Sequence, residues 1–535
     1  MAPTVLELLQ NHISLSISCI DRLYINGYVP KLQQPWDLRR FLEQHRGNTF
    51  LSPALLKPMS EGLRREVKAL EKQGIPIVAF ERRQRKDEVA AGLHREFEHP
   101  SGLVFVGVAQ ERQSAFGARK VQQTGRIDFE WSRQSSYVNQ YYYYILDEQW
   151  GPAFIKVGSY LPYPVKLCLN GHEWAKRQLR ADGIAFEALD NGFLSCDDPE
   201  RLQEICDRLS AEDVTDFFNR WSWRLPWPLT PEDRDAGYDH NLSIWQMEVS
   251  LTQVFERPVQ GRHFFNQIIR DNLDLGAPER VQLLFPKKTI RSTPAPRRGY
   301  NTRVITAGVS PSLHVEHRSS HVKQYFKEER ALRTETTIND TKDFGSNKSI
   351  ENLEFLRDHG EQVNRKLLEA ERVSQNCVLT QAALDRLQSS TFEDGKRASA
   401  LRFGEERVMA LMYCLCLFFH LPFGFRNRDI RPRVASLLGL TLDDYSANRM
   451  TYDLRRLRLK GLIHRIPGSN RYTVTTEGLR VAYFYAKVHL RILRPGFAAL
   501  LEPDDPIPRP LRSAMAALDR EIAKVCDDAR IRAAG

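Results

Sequence analysis

Two hydrophobic periods run along this chain. Residues 19–30, 74–81 and 102–110 are dense in β-branched and apolar side chains and predict strands, with charged, helically spaced stretches between them. The tyrosine-rich run that follows predicts a hairpin turning at Gln149, Trp150 and Gly151, then a strand ending at Asn170 and Gly171. A helix is expected over 172–181 and another strand within 183–196, with helices over 199–221 and 243–273. Beyond these, helices are expected over 348–372, 379–390 and 405–419.

One polar stretch breaks the usual half-apolar rule for strands. In "HVKQYFKEERALRTETTIND" (321–340), pairing 321–327 antiparallel with 331–337 sets Tyr325 opposite Arg333, Lys323 opposite Glu335, Phe326 opposite Leu332 and Val322 opposite Thr336. Side chains alternate faces along a strand, so this register puts His321, Lys323, Tyr325, Arg333 and Glu335 on one side. It puts Val322, Phe326 and Leu332 on the other, and a slip of one residue would mix the two sets. The loop, Glu328, Glu329 and Arg330, lacks the glycine such a turn prefers. The polar side has two readings. It is a solvent face with a cross-strand Lys323–Glu335 pair, or it is a site for phosphodiester chemistry. In the second, Glu335 holds Mg or Mn, Lys323 and Arg333 neutralise phosphate, and Tyr325 contacts or attacks it.

The form K-x-Y-x-K followed by L-R-x-E resembles a hairpin of some rolling-circle replication initiators, in which the acid binds the metal. His314, His317 and His321 depart from the histidine-hydrophobe-histidine spacing of that group. A site built from His314, Glu316 and His317 is disfavoured, because alternation points residue 317 away from the other two. A rival acidic set lies nearer the N-terminus: Asp21 at a strand start, Asp147 at the end of the tyrosine-rich strand, and His172 opening a helix beside Asn170. Acids at strand ends can bind two metals, as RNase H-type nucleases require. They are also ordinary turn residues, as Asp190 and Asn191 are expected to be.

The C-terminal pattern is the more specific. A helix carrying Val434, Leu437 and Leu438 stops at Gly439. Ser446 is placed to cap a second helix whose core stripe is Met450, Leu454 and Leu457. Its other face carries Asn448, Arg449, Tyr452, Arg455 and Arg456, residue types that read base edges and hold phosphates. A turn at 467–470 follows, with Arg465 and Arg471 beside it. "LRRLRLKGLIHRIPGSNRYTVTTEG" resembles a winged helix-turn-helix of the MarR type, which implies duplex DNA as partner. The whole chain is also similar to a large group of uncharacterised bacterial proteins associated with mobile elements.

The expected fold class is therefore α+β and multidomain. An N-terminal region with a mixed sheet (1–285) precedes a basic, Pro-rich linker (286–303), a small hairpin-containing domain (304–400), a winged helix (401–495) and a Pro-rich tail with a terminal helix (496–535). Composition changes this picture little. The chain has 535 residues, 77 Lys and Arg against 67 Asp and Glu, a net charge of +10 and a pI near 9.1. Such an excess points to nucleic acid only where it clusters. Its eight cysteines show no zinc spacing and suggest reduced thiols, and the N-terminus lacks the basic region of a signal peptide. The apolar part of 408–425 is too short to span a bilayer. A cytoplasmic, bacterial DNA-binding protein with no membrane partner is expected. The alternatives are a metal-dependent nuclease or nicking initiator, and a transcription regulator with a sensing N-terminal domain.

Overall fold

The computed structural model describes residues 12–81, 84–123, 126–275, 300–307, 310–375, 377–393, 395–418 and 424–489, with scattered positions beyond. The expected linker falls mostly outside these residues, as does most of the C-terminal tail.

The fold is α+β and is built on one large sheet. Its strands, in chain order, are β1 (Ile13–Tyr28), β2 (Ile77–Ala79), β3 (Gly102–Gln123), β4 (Arg126–Asp147), β5 (Gly151–Gly158), β6 (Val165–Asn170), β9 (Asn241–Phe255), β10 (Tyr300–Ala307), β11 (Ser310–His317), β12 (Ser320–Lys327) and β13 (Ala331–Ile338). Two short strands, β7 (Phe186–Leu189) and β8 (Gly192–Cys196), form a separate hairpin turning at Asp190 and Asn191. Among the described residues the sheet has 11 strands, in the order β10-β11-β12-β13-β9-β1-β6-β5-β4-β3-β2. All neighbours are antiparallel except β2 and β3, so the sheet is mixed.

Two expectations are corrected here. The stretch over 243–273 is not one helix: 241–255 is β9, a central strand, and the helix starts only at Pro258. A register shift opposite Tyr24 and Ile25 makes Trp245 an extra residue in β9. That bulge puts Ile244 and Met247, three apart, on the same side, and with Leu251 four residues further on the spacing imitates a helix period. Nor is the hairpin a separate small domain. β13 pairs with β9 along its whole length, from Ala331 opposite Val254 to Ile338 opposite Met247. Leu313, Val322, Leu332 and Ile338 share one core with Ile17, Leu23 and Met247. A polar-faced hairpin has one apolar side to bury, and the edge of β9 supplies the partner.

The hairpin register itself is as read from alternation: Tyr325 opposite Arg333, Lys323 opposite Glu335, Phe326 opposite Leu332 and Val322 opposite Thr336. Its glycine-free loop closes because Glu328 and Glu329 adopt left-handed φ of 46° and 58°. Glu328 Oε1 then accepts from the Asp190 amide at 3.0 Å, which ties the loop to the β7–β8 turn.

Helix α1 (Gly171–Ala181) follows β6 directly, with Asn170 capping it through the Glu173 amide. A Cβ on Gly171 would lie 2.2 Å from the Ile20 carbonyl oxygen, so only glycine lets the helix start this close to β1. Helix α2 (Leu353–Gln375) crosses the apolar side of β9 and β13. Buried Asn364 pins it there, accepting from Thr336 Oγ1 at 2.7 Å and donating to the Val249 carbonyl at 2.9 Å. Leu367 and Leu368 belong to the sheet's core, whereas Ala370 and Val373 belong to a second, C-terminal core. The boundary between cores therefore falls inside one helix rather than in a linker.

The second core contains the helix Glu406–Phe418, whose Met409, Leu411 and Leu415 are buried. Among the described residues no helix is long and apolar enough to cross a membrane. A small hairpin, β14 (Thr391–Glu393) with β15 (Lys396–Ala398), precedes it. Helix α3 (Asn427–Leu437) and helix α4 (Ala447–Leu459) follow, then β16 (Ile463–Arg465), β17 (Tyr472–Val474) and α5 (Thr476–Val488), the parts of a winged helix in their expected order. Gly439, at φ 64°, lies just beyond α3, and Ser446 caps α4 through the Arg449 amide. Of the apolar residues on α3, Val434 is buried and Leu437 is 52% exposed.

Candidate functional site

The polar side of β12 and β13 is not an open solvent face. Glu335 pairs with Ser250 across β9, and Ser250 and Glu248 lie two apart, so all three side chains share one side of the sheet. β1 adds the third acid. Ile20 pairs with Val249 and Arg22 with Glu248, which leaves Asp21 as an extra residue in the strand. A bulge re-aims its side chain. Asp21, Glu248 and Glu335 offer carboxylate oxygens that lie within 4.8 Å of one another.

Arg333 organises the group from beneath. It is fully buried, donates to Asp21 Oδ2 and to the Asn191 carbonyl, and lies 3.5 Å from Glu335. Asn191 also donates to Asp21 Oδ1. His172 completes the shell: its Nε2 lies 3.1 Å from Ser250 Oγ and 3.0 Å from Arg333 Nη2. Guanidinium can only donate, so His172 accepts through Nε2 and is neutral. Burial, and then the positive charge of Arg333, push its pKa down to about 3. Burial raises the Asp21 carboxyl, but Arg333 and, after it, the other neighbours including Asn191 and Arg22 together hold the group below its ordinary value.

The other two acids shift the opposite way. Burial, then the negative charges of Glu335 and Asp21, raise Glu248 to about 7. Burial and Asp21 likewise raise Glu335. A carboxyl with a folded pKa above its unfolded one binds more protons when folded, so stability falls as pH rises through that window. The metal-free protein is therefore expected to lose stability between about pH 4.5 and 7, and Glu248→Gln is expected to flatten part of that slope. Urea midpoints of both proteins across the range check it; parallel curves would contradict the shift.

The expected Lys323–Glu335 pair is not made. Lys323 Nζ instead sits 4.2 Å from the centre of the Tyr325 ring. Tyr325 Oη donates to Glu335 Oε2 at 3.3 Å. Burial pushes the phenol well above its ordinary pKa. Tyrosine attack needs a lowered pKa or an adjacent base; the pKa is raised, and the one carboxylate that could serve as the base is Glu335. His314 pairs opposite Lys323 and lies 2.9 Å from Ser312 Oγ, outside the acid cluster.

Two members of the rival acidic set, Asp21 and His172, thus join the hairpin residues Glu335 and Arg333 in one site. Asp147 does not. It accepts from Trp221 Nε1 at 2.7 Å, from Arg220 at 2.9 Å and from the amides of Gln149 and Trp150, so it anchors a turn to the helix Ala211–Ser222. Glu248 was missed because it lay inside the expected helix. The strict alternation of Glu248, Val249, Ser250, Leu251 and Thr252 is the signal that reveals it.

In the winged helix, Asn448, Arg449, Tyr452 and Arg455 are all exposed on α4. Arg456 is not, which corrects its placement on the reading face. It is 6% exposed, lies 3.6 Å from both Asp453 and Glu405, and donates to the Ala400 carbonyl. Position 456 falls one turn after buried Asp453, on the inner side of the helix. Arg465 is exposed on the wing and is held by the Ser469 carbonyl at 2.9 Å and Asn470 Oδ1 at 2.8 Å. Arg471 is half-buried just ahead of β17. No protein-family model, no curated protein and no solved structure matches this chain.

Proposed function

We propose that this protein binds duplex DNA through its C-terminal winged helix. The observation that carries the reading is the outer face of α4. Asn448, Arg449, Tyr452 and Arg455 are exposed together there, on a helix whose inner side is locked by Met450, Leu454 and Leu457. Such a helix fits a major groove, where Arg and Asn discriminate bases and a basic wing lies along phosphates. With full-length protein and a labelled duplex library, Arg449→Ala is expected to change sequence preference. Arg471→Ala is expected to weaken all sites and lower the salt slope by about 1. Arg456→Ala, by contrast, is expected to lower the melting temperature and leave sequence preference as it was. No duplex binding at low salt overturns the proposal.

The second reading is metal-dependent phosphodiester chemistry, favoured by the three carboxylates that β1, β9 and β13 bring together. An all-oxygen donor set suits Mg or Mn rather than a softer ion. Asp21, Glu248 and Glu335 would hold the ion, which would supply Lewis-acid stabilisation of charge on phosphate. The raised pKa of Glu248 supports this, because it reports carboxyls that repel one another, and a divalent cation bound among them would relieve that repulsion with loss of the proton to solvent.

A further inference from the structure

Next to the acid cluster, the same side of the sheet carries an uncovered aromatic and basic strip. On β1, Arg22, Tyr24 and Asn26 pair with Asn170, Cys168 and Lys166 of β6, so these side chains share one face. Arg22 also pairs with Glu248, and Tyr24 with Gln246, which makes this face continuous with the acids. The reverse face is ordinary core: Leu23, Ile25, Leu167, Leu169 and Met247 are all buried. On the strip, Arg22 and Trp245 are exposed, and Tyr24, Asn26 and Lys166 are half-buried.

Trp245 is the unusual member. It is 42% exposed in the middle strands of a large sheet, pushed out as the extra residue of the β9 bulge. Tyr24 meets it edge-on at 6.0 Å and 84°, and Lys166 Nζ lies 3.7 Å from its ring centre. Lys166 has no carboxylate within 4 Å among the described residues, because the neighbouring Glu111 is taken by Lys86 and Lys156. Arg22 is partnered by Tyr24 and by the acids Asp21 and Glu248, so Lys166 is the cation the strip leaves without a carboxylate. Aromatic faces with such a cation beside them suit a single nucleic-acid strand, bases stacking and a phosphate held between them. Duplex DNA hides its base faces and cannot use such a surface.

We infer that this strip is a binding platform for single-stranded DNA, with Trp245 and Tyr24 stacking bases and Lys166 holding a phosphate. Tyr24 is two residues from Arg22, about 7 Å along β1, roughly one nucleotide step. A strand laid along it enters the acid cluster, since Arg22 directly follows Asp21 and pairs with Glu248. The orientation toward those acids rests on the phosphodiester reading above, whereas binding to the platform does not.

The test uses full-length protein, a labelled oligothymidylate and a labelled duplex, without metal. Wild type is expected to bind the oligothymidylate with quenching of tryptophan fluorescence. Trp245→Ala and Lys166→Ala are each expected to weaken it about tenfold without changing duplex affinity. Trp245→Phe retains a stacking face and is expected to recover most of the binding, which separates a lost contact from a disturbed fold. Binding is read without metal, so a failure of the metal reading would not be mistaken for a failure of the platform. Wild-type oligothymidylate affinity in Trp245→Ala overturns the inference. So does loss of single-strand and duplex binding together in Arg449→Ala, which would place both on the winged helix.

Discussion

Arg333→Met will destabilise the protein by about 3–5 kcal/mol, the cost of leaving a buried carboxylate without its partner. Methionine keeps the apolar stem and its packing, so the loss reports the charge. Asp21 is 3% exposed, and its remaining neutral donor, Asn191, cannot replace a guanidinium. Adding Asp21→Asn to Arg333→Met should recover much of the loss, because no buried charge then remains unpaired on β1. Urea denaturation of both single variants and the double variant gives the coupling directly. A cost under about 1 kcal/mol for Arg333→Met would mean that water reaches Asp21, and that the pair is no more than a surface salt bridge.

Glu248→Gln and Glu335→Gln should separate stability from metal chemistry in the opposite direction. Each removes one of three mutually repelling carboxylates while keeping the shape of the side chain. At pH 8 Glu248→Gln is therefore expected to be at least as stable as wild type. Affinity for Mn²⁺ should nevertheless fall by at least about 100-fold in either variant, since loss even of a group that only supports a ligand costs 10–100-fold. Any Mn²⁺-dependent cleavage of DNA should fall with it. Titration calorimetry and cleavage of a labelled oligonucleotide, with and without metal, measure the two effects. If wild type binds no Mn²⁺ at millimolar concentration, the cluster is a structural network of Asp21, Glu248 and Glu335 with Arg333 and Arg22.

Tyr325 shows how a role can change once neighbours are known. In the sequence it stands among cations and an acid, a setting that suits a nucleophile. In the fold its hydroxyl donates to Glu335 at 3.3 Å with Lys323 over its ring, so whatever it does it does together with that carboxylate. Arg456 changed in the same way. Position alone put it beside Arg455 on a reading helix, and only the packing of α4 against the residues around Glu405 and Ala400 turned it inward.

Local alternation by itself determined the hairpin's register, because a slip of one residue would have mixed the polar set with Val322, Phe326 and Leu332 on each side. Local periodicity and cap residues likewise determined the helices and wing between Val434 and Val474, since Gly439 and Ser446 act through their own backbone neighbours. Both kinds of signal are short-range. Where a bulge interrupted the period, at Trp245, the same signals misread β9 as a helix, and Glu248 was lost with it. Only the tertiary structure decided that β13 lies against β9, and that β1 lies on the far side of β9. Those two pairings bring Asp21 to Arg333, which is 312 positions away in the chain. An antiparallel strand offers the same hydrogen-bonding edges to any partner. The entropy of closing the intervening loop also grows only slowly with its length. Nothing in the local pattern of β1, β9 or β13 therefore specifies which strands become neighbours; that is settled by burying their apolar sides in one shared core, and the acids converge on the other side as its consequence.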